Sequence, residues 1–262
     1  MTINQEIEDW LKANTRSFDA TDRPFVTLSY AQSLDGSIAL DCAEPLALSG
    51  VESLALTHQL RSIHDGILVG INTVISDNPQ LNVRHWEGAS PQPIVLDSHM
   101  RIPATARLCH LADRKCWVLT TTEGQRALKV RSKKTLNNLE VTAIHDSEDG
   151  RVCLQCALKS LRKKGIKNLM VEGGASVITA FLKARLADAI VLTVVPQLIG
   201  GYKAVGDLGT GNKSLLPKIA PMFTEKLGND LVIWGALEYS PAEQCLAKPR
   251  VIQRGPLSQV VL

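Results

Sequence analysis

One carboxylate stands directly before two glycines in this chain, at Glu172, Gly173 and Gly174. The apolar run 169–171 before them predicts a buried strand, and the apolar spacing after them predicts an amphipathic helix. Such a junction leaves backbone N–H groups free at the helix N-terminus, where a phosphate can bind. It also places the carboxylate at the strand end where open α/β sheets bind their ligands. The junction therefore indicates an anion site beside an acid, although most Gly-Gly pairs only let a strand turn into a helix.

A second candidate for chemistry is the polar segment 70–84, which follows a predicted strand at 66–69. Thr73 begins a short turn in this segment, residues 77–79 break it, and Arg84 closes it. Long polar loops after a parallel strand are more often functional than filler. We therefore expect this loop to contribute to a binding site.

Two further groups have a structural explanation as well as a functional one. Arg61 shares a predicted helix face with Thr57, and a single arginine in such a place is usually a surface residue. Thr120 and Thr121 stand at a strand end before a helix, where their hydroxyls either cap the helix or hold a phosphate. The residues alone leave both alternatives open.

Strands and helices alternate along most of the chain and must position these groups. Apolar and β-branched runs predict the strands, and apolar residues at helical spacing predict the helices. Two runs around residues 228–230 predict a C-terminal hairpin. This order indicates an α/β fold with a mostly parallel central sheet, helices on both faces and an antiparallel hairpin at its edge. The predicted strands are 25–30, 66–69, 93–97, 116–120, 139–143, 167–171 and 189–195, and the predicted helices are 51–63, 125–134 and 152–164.

The domain prediction follows from the same patterns. Residues 1–22 form an amphipathic extension that packs on the main body or on a second subunit. Residues 23–240 form the main domain, and residues 241–262, which contain prolines and little pattern, form a tail. The sequence shows no internal repeat.

The composition excludes several classes of protein. A net charge of +3 and an aromatic content of 4% argue against nucleic-acid binding, and no apolar run approaches the ~20 residues of a membrane span. No secretory signal is recognisable, and six unevenly spaced cysteines do not form a disulfide framework, so we expect a cytoplasmic protein. Cys153 and Cys156 have metal-like spacing but no second pair. They fall inside the predicted helix 152–164, so core packing is expected and no metal site.

Seven further motifs occur in a fixed order with the Glu172 junction. Together they resemble the reductase domain of the riboflavin-biosynthesis deaminase/reductase and the related stand-alone pyrimidine reductases, over roughly residues 24–201. The resemblance implies a dihydrofolate-reductase-like fold. The motifs are Ser33-Leu34-Asp35-Gly36, Asp65-Gly66-Ile67-Leu68-Val69-Gly70, Thr73, Asp77-Asn78-Pro79, Leu81-Asn82-Val83-Arg84, Pro93-Ile94-Val95-Leu96-Asp97, Glu172-Gly173-Gly174 and Pro196-Gln197-Leu198-Ile199-Gly200-Gly201, with the junction counted among them.

The resemblance also implies a reaction and a cofactor. The family reduces a ribosylamino-pyrimidinone 5′-phosphate to the ribitylamino compound with NADPH. Thr120 and Thr121, with Arg126 and Lys129 nearby, favour NADPH slightly through its 2′-phosphate. The cofactor is expected to contact Ala31, Thr73, Asp77 and Ser98, with its pyrophosphate over Gly173, Gly174, Ala175 and Ser176.

The same resemblance places the substrate beside a set of charged residues. Arg61, Leu81 and Arg84 are expected to meet its phosphate and ribosyl chain, because two cations neutralise a phosphate dianion. Glu172 is expected next to the reacting sugar, either as the proton donor or as the group that holds a hydroxyl. A homodimer is also expected.

The segment 42–50 departs from the family, which commonly has a tryptophan there. Two alternatives to a riboflavin reductase follow: a reductase of the same fold with another small substrate, or an inactive paralogue that binds or regulates. The sequence also leaves open whether the substrate is deaminated or still carries its amino group.

Overall fold

The computed structural model describes residues 2–18, 21–40, 46–130, 138–209 and 211–240. Its helices are α1 (Ile3–Ser17), α2 (Val51–Ile63), α3 (Ile71–Asp77), α4 (Thr122–Val130), α5 (Leu154–Lys163) and α6 (Ala175–Lys183). Its strands are β1 (Phe25–Ser33), β2 (Ser37–Ala39), β3 (Gly66–Gly70), β4 (Gln92–Leu96), β5 (Cys116–Thr120), β6 (Leu139–Ala143), β7 (Asn168–Val171), β8 (Ala189–Val195), β9 (Tyr202–Lys203), β10 (Lys218–Leu227) and β11 (Asp230–Glu238). The predicted tail at 241–262 and part of the divergent segment, 41–45, lie outside the described residues.

Nine of the described strands form one sheet in the order β10-β11-β8-β1-β7-β3-β4-β5-β6. The seven strands from β8 to β6 run parallel to one another. The hairpin β10–β11 joins the sheet through an antiparallel pairing of β11 with β8. The predicted mostly parallel sheet with a C-terminal antiparallel hairpin is therefore confirmed.

Apolar side chains alternate between the two faces of this sheet, as the period of a strand requires. Leu68 points into a core that includes Leu161 of α5 and Phe181 of α6. Val69, one residue later, points into the opposite core, which includes Val74 of α3. Helices therefore cover both faces, and the carboxyl ends of the central strands meet at one edge.

The N-terminal helix packs on the main body. Ile3, Ile7 and Leu11 of α1 are buried in a third core cluster, which also contains Leu56 of α2 and Met170 of β7. In the described part of the chain, no helix combines the length and the apolar character that crossing a bilayer demands.

Three local features differ from the sequence prediction. Residues Ile71–Asp77, predicted as a loop with a short turn, form the two-turn helix α3. The short pairing of β2 with β9 was not predicted. The prediction that Cys153 lies inside a helix is wrong, because α5 begins at Leu154 and Cys153 is its N-cap residue.

Candidate active site

A cavity of about 1050 Å³ opens beside the carboxyl ends of β3 and β4. Its walls are α3, the residues after β4, the segment 147–155 and the N-terminus of α6. Six of the predicted cofactor-binding residues line it: Thr73, Asp77, Ser98, Gly174, Ala175 and Ser176. The structure thus brings together residues that lie up to about 100 positions apart in the sequence.

Three glycines allow α6 to begin directly on the sheet. An added Cβ would lie 2.6 Å from Val177 Cγ2 at Gly70 and 2.9 Å from Val177 Cβ at Gly173. Gly174, the N-cap residue, donates its N–H to Thr73 Oγ1 at 3.2 Å. The next two N–H groups, of Ala175 and Ser176, belong to the first turn of a helix and have no acceptor within it. The glycines therefore place a helix N-terminus on the wall of the cavity.

A second cavity of about 340 Å³ adjoins the first, and Asp77 lines both. Leu81 and three arginines line the smaller one: Arg61, Arg84 and Arg107. Within the described chain, neither Arg84 nor Arg107 forms an ion pair with a carboxylate. Burial, followed by the charges of Arg61 and Arg107, lowers the pKa of Arg84. Three cations held close together with little counter-charge are favourable surroundings for an anion.

Arg61 and Glu172 form a two-point ion pair beside this cavity. The Arg61 Nε–Glu172 Oε2 distance is 2.9 Å, and the Nη2–Oε1 distance is 2.6 Å. Arg61 Nη1 also donates to the carbonyl oxygen of Asn82 at 3.0 Å. The arginine predicted to meet substrate is therefore fixed between the end of β7 and the loop that carries Arg84.

A buried histidine holds the loop that carries Arg84. The Arg84 N–H donates to Nδ1 of His58 at 3.0 Å, which requires an unprotonated Nδ1. Burial, reinforced by the charges of Arg61 and Arg84, lowers the pKa of His58 to about 4. Leu81 in the same loop is buried at a φ of +50°. A neutral His58 thus fixes the backbone beside the arginine cluster.

Four predicted cofactor residues do not line either cavity. Ala31 lies within β1 opposite Thr193, and Gly173 packs under Val177. The hydroxyls of Thr120 and Thr121 donate to the carbonyl oxygen of Ser98 at 3.3 and 2.6 Å.

Thr121 also has the second contact expected of a helix cap. Its Oγ1 accepts the N–H of Gly124 at 3.0 Å, in the first turn of α4. The observed contacts of these two threonines are therefore those of the structural alternative, in which the hydroxyls hold the backbone at a helix start. The threonines support Ser98, which lies on the cavity wall, and their role towards a cofactor stays a prediction.

Sequence reasoning missed three basic residues. Arg107 faces the smaller cavity, and its N–H is fixed by Asn78 Oδ1 at 2.8 Å. Arg101 and Arg151 line the larger cavity. Both lie in polar stretches of sequence without a periodic pattern, so no local signal distinguishes them from surface arginines.

Asp35 ties together two of the family motifs. Its carboxylate accepts the N–H groups of Ile199 and Gly200, both at 2.9 Å, and pairs with Lys203 at 2.7 Å. Hydrogen bonds from Lys203, Ser33 and the Ile199 N–H hold the pKa of Asp35 well below its usual range. The turn at residues 33–36 therefore fastens the loop after β1 to the loop after β8.

The family described as "RibD C-terminal domain" matches residues 24–233. The riboflavin biosynthesis protein RibD of Aquifex aeolicus is 34% identical over 215 residues, which cover 81% of this chain and 58% of that protein. The 2,5-diamino-6-ribosylamino-4(3H)-pyrimidinone 5′-phosphate reductase of Debaryomyces hansenii is 35% identical over 198 residues, which cover 69% of this chain and 78% of that reductase.

A solved structure agrees with these relatives. The riboflavin biosynthesis reductase Rib7 of Saccharomyces cerevisiae has a TM-score of 0.69 at 27% identity, with 89% of this chain and 100% of that chain covered. The dihydrofolate-reductase-like fold is therefore confirmed. The chain spans little more than half the length of RibD but most of the stand-alone reductase. It belongs to the RibD C-terminal domain family, which is the reductase family that its sequence motifs indicated.

Proposed function

We propose that this chain uses NADPH to reduce a ribosylamino-pyrimidinone 5′-phosphate to its ribitylamino form, as a step of riboflavin biosynthesis. The adjacency of two chemically different cavities, both lined by Asp77, carries this proposal. One offers a helix N-terminus and the other a cluster of guanidinium groups, and both are favourable surroundings for phosphate. A dinucleotide and a phosphorylated substrate fit side by side in such a cleft, as hydride transfer requires.

The larger cavity is the proposed site of the nicotinamide cofactor, which supplies the hydride when bound. Its volume of about 1050 Å³ suits a large ligand. The N–H groups of Ala175 and Ser176 are positioned for the pyrophosphate, beside the hydroxyl of Thr73. Arg101 and Arg151 line the same cavity and provide charge for the 2′-phosphate that distinguishes NADPH from NADH.

The smaller cavity is the proposed site of the substrate phosphate. Arg84 and Arg107 face it without a carboxylate partner among the described residues, so a phosphate dianion would complete their hydrogen bonds. Leu81 supplies an apolar wall. Anchoring the phosphate here directs the sugar towards Asp77 and the cofactor cavity.

Glu172 is proposed to position the substrate rather than to donate a proton. Both of its carboxylate oxygens already accept hydrogen bonds from the guanidinium of Arg61, so the group is engaged as an acceptor. The carboxylate oxygens of Glu172 can each accept a further hydrogen bond from a sugar hydroxyl while they hold Arg61. The proton that reaches the amine nitrogen would then come from water.

We further propose a homodimer in the cytoplasm. The edge strand β10 exposes Met222 and Phe223, a combination of free strand edge and apolar surface that favours association. Cys109 and Cys116 are buried and form no disulfide, which suits a reducing compartment. Light scattering of the purified protein would test the dimer directly.

The activity is tested by mixing the purified chain with NADPH and the phosphorylated substrate, in its deaminated and its amino forms. Loss of NADPH fluorescence and a product two hydrogens heavier are expected with one of them. Expression should also restore growth of a riboflavin auxotroph that lacks the reductase. NADPH binding with no turnover would identify an inactive paralogue, whereas turnover of other compounds without complementation would identify a different reductase.

A further inference from the structure

Cys153 and Cys156 lie at the start of α5 with their sulfur atoms close together. Simple core packing does not require this arrangement. Cys153 is the N-cap residue, and its Sγ accepts the N–H of Cys156 at 3.4 Å. The two sulfur atoms are 3.1 Å apart, and both residues are half-buried free thiols. A disulfide requires a sulfur separation of about 2.04 Å, so closing the bond needs a movement of roughly 1 Å.

The surroundings give the two sulfurs different reactivity. Hydrogen bonds from the Cys156 side chain and backbone N–H lower the pKa of Cys153, whereas the Cys153 sulfur raises the pKa of Cys156. The position at a helix N-terminus also favours a thiolate. Cys153 lines the larger cavity, which gives small molecules access to its sulfur, whereas Cys156 is not part of the lining and packs against the core.

We propose that Cys153 and Cys156 are a redox-active dithiol, which a low-molecular-weight disulfide such as oxidised glutathione converts into an intramolecular disulfide on the cavity wall. The Cys153 thiolate attacks one sulfur of the external disulfide, and one external thiolate leaves. Cys156 then loses its proton, attacks the Cys153 sulfur of the mixed disulfide and releases the second external thiol. The protein pair is oxidised by two electrons, and the external disulfide is reduced to two thiols.

Oxidation of the two thiols is independent of the proposed reaction, since it depends only on the thiols and their access to solvent. Buried structural cysteines are inert because their thiolates are disfavoured. Cys109 and Cys116 are of that kind: both are buried, and burial raises the pKa of Cys116. They therefore serve as internal controls within the same protein.

Mass spectrometry tests the proposal directly. Trypsin cleaves after Arg151 and Lys159, so both cysteines fall in one peptide, 152–159. The folded protein is incubated in buffers of increasing glutathione disulfide content, quenched by acid, alkylated after unfolding and digested. The peptide should shift to an unalkylated form two hydrogens lighter, and dithiothreitol should restore it, while Cys109 and Cys116 are alkylated throughout.

Two variants separate the roles of the sulfurs. Cys156→Ser should accumulate glutathione on Cys153, because the resolving thiol is gone, and Cys153→Ser should leave Cys156 mostly reduced. Cys153 should also react with iodoacetamide at least about tenfold faster than Cys156, as its higher thiolate fraction requires. A 152–159 peptide that stays reduced in the most oxidising buffer, or equal reaction of both thiols, would overturn the proposal.

Discussion

Arg61 and Glu172 are joined by two hydrogen bonds of 2.9 and 2.6 Å across a sequence separation of 111 residues. Arg61 lies in the last turn of α2 and Glu172 directly follows β7, so the pair fixes a helix against the edge of the sheet where both cavities open. The exposed fraction of Arg61 is 9%. Removing the charge of either residue therefore leaves the charge of the other residue without its partner in a largely buried place.

Glu172→Gln tests the positioning role. Because Arg61 loses its counter-charge, we expect the free energy of unfolding to fall by roughly 2–3 kcal/mol and KM for substrate to rise ~10-fold. The value of kcat should stay within a few-fold of the original. Steady-state kinetics and urea unfolding measure these effects, with the exposed Glu123→Gln in α4 as the matched control. A kcat lowered by about 100-fold or more at unchanged KM would instead identify Glu172 as the proton donor.

Arg107→Ala tests the arginine cluster. The loss of one charge-assisted hydrogen bond to phosphate is expected to raise KM for the phosphorylated substrate by about 10- to 100-fold. The dephosphorylated analogue should show little change, since it lacks the group that Arg107 contacts. Arg16→Ala, an exposed arginine on α1, provides the control. Equal effects on both substrates would show that Arg107 acts on the fold of the loop and not on phosphate.

Arg101→Ala tests the preference for NADPH. Removing this guanidinium from the larger cavity should raise KM for NADPH by roughly tenfold or more and leave KM for NADH nearly unchanged. The ratio of kcat/KM for the two cofactors is the measurement. Arg101 also donates to Asn72 Oδ1 at 2.8 Å. Asn72→Ala should therefore be measured alongside, because it removes this contact with α3 and keeps the charge of Arg101.

Gly70→Ala tests the close approach of α6 to the sheet. The new methyl group would lie 2.6 Å from Val177 Cγ2, so the helix start must shift. We expect a loss of about 1–3 kcal/mol in stability, together with weaker cofactor binding. Combining Gly70→Ala with Val177→Ala should recover part of the lost stability and part of the lost cofactor binding. A double-mutant cycle measures this coupling. Gly211→Ala is the control, since an added Cβ there meets nothing within 4 Å.

The neutral state of His58 predicts a dependence of stability on pH. Its pKa is about 4 in the folded chain against an ordinary value of 6.5, so the unfolded chain takes up the proton first as pH falls. The contribution of His58 to the free energy of unfolding is fully present above pH 6.5. It is lost as the pH falls from 6.5 to about 4, and it decreases no further below that pH. Urea unfolding across this range should show a smaller slope for His58→Asn, whose amide oxygen can still accept the Arg84 N–H. Identical slopes would contradict the assignment.

The parallel sheet could be predicted because its strands are short, apolar and buried on both faces. The strands at 116–120, 139–143 and 189–195 coincide with β5, β6 and β8 to the residue. The helix Ile71–Asp77 could not be predicted from the sequence. Its β-branched and polar residues have low helix propensity, and the tertiary packing of Ile71 and Val74 decides its form. The β2–β9 pairing is non-local and too short to leave a periodic signal.

The sequence brought several predicted residues to the walls of the two cavities but missed others. Thr73, Ser176 and Arg84 face cavities as the resemblance implies, although their roles remain predictions. Arg107 is brought to the smaller cavity by the fold of a segment with no motif of its own. The N-cap position of Cys153 depends on the point at which a helix begins, which the apolar period locates only to within a few residues.

Asp77 ends the helix α3 and belongs to the walls of both cavities. Any ligand that moves this two-turn helix therefore alters the neighbouring cavity as well. If cofactor and substrate occupy the two cavities as proposed, the factor by which cofactor changes the affinity for substrate must equal the factor by which substrate changes the affinity for cofactor. Titration calorimetry with each ligand, alone and in the presence of a non-reacting analogue of the other, would yield one coupling free energy from both directions.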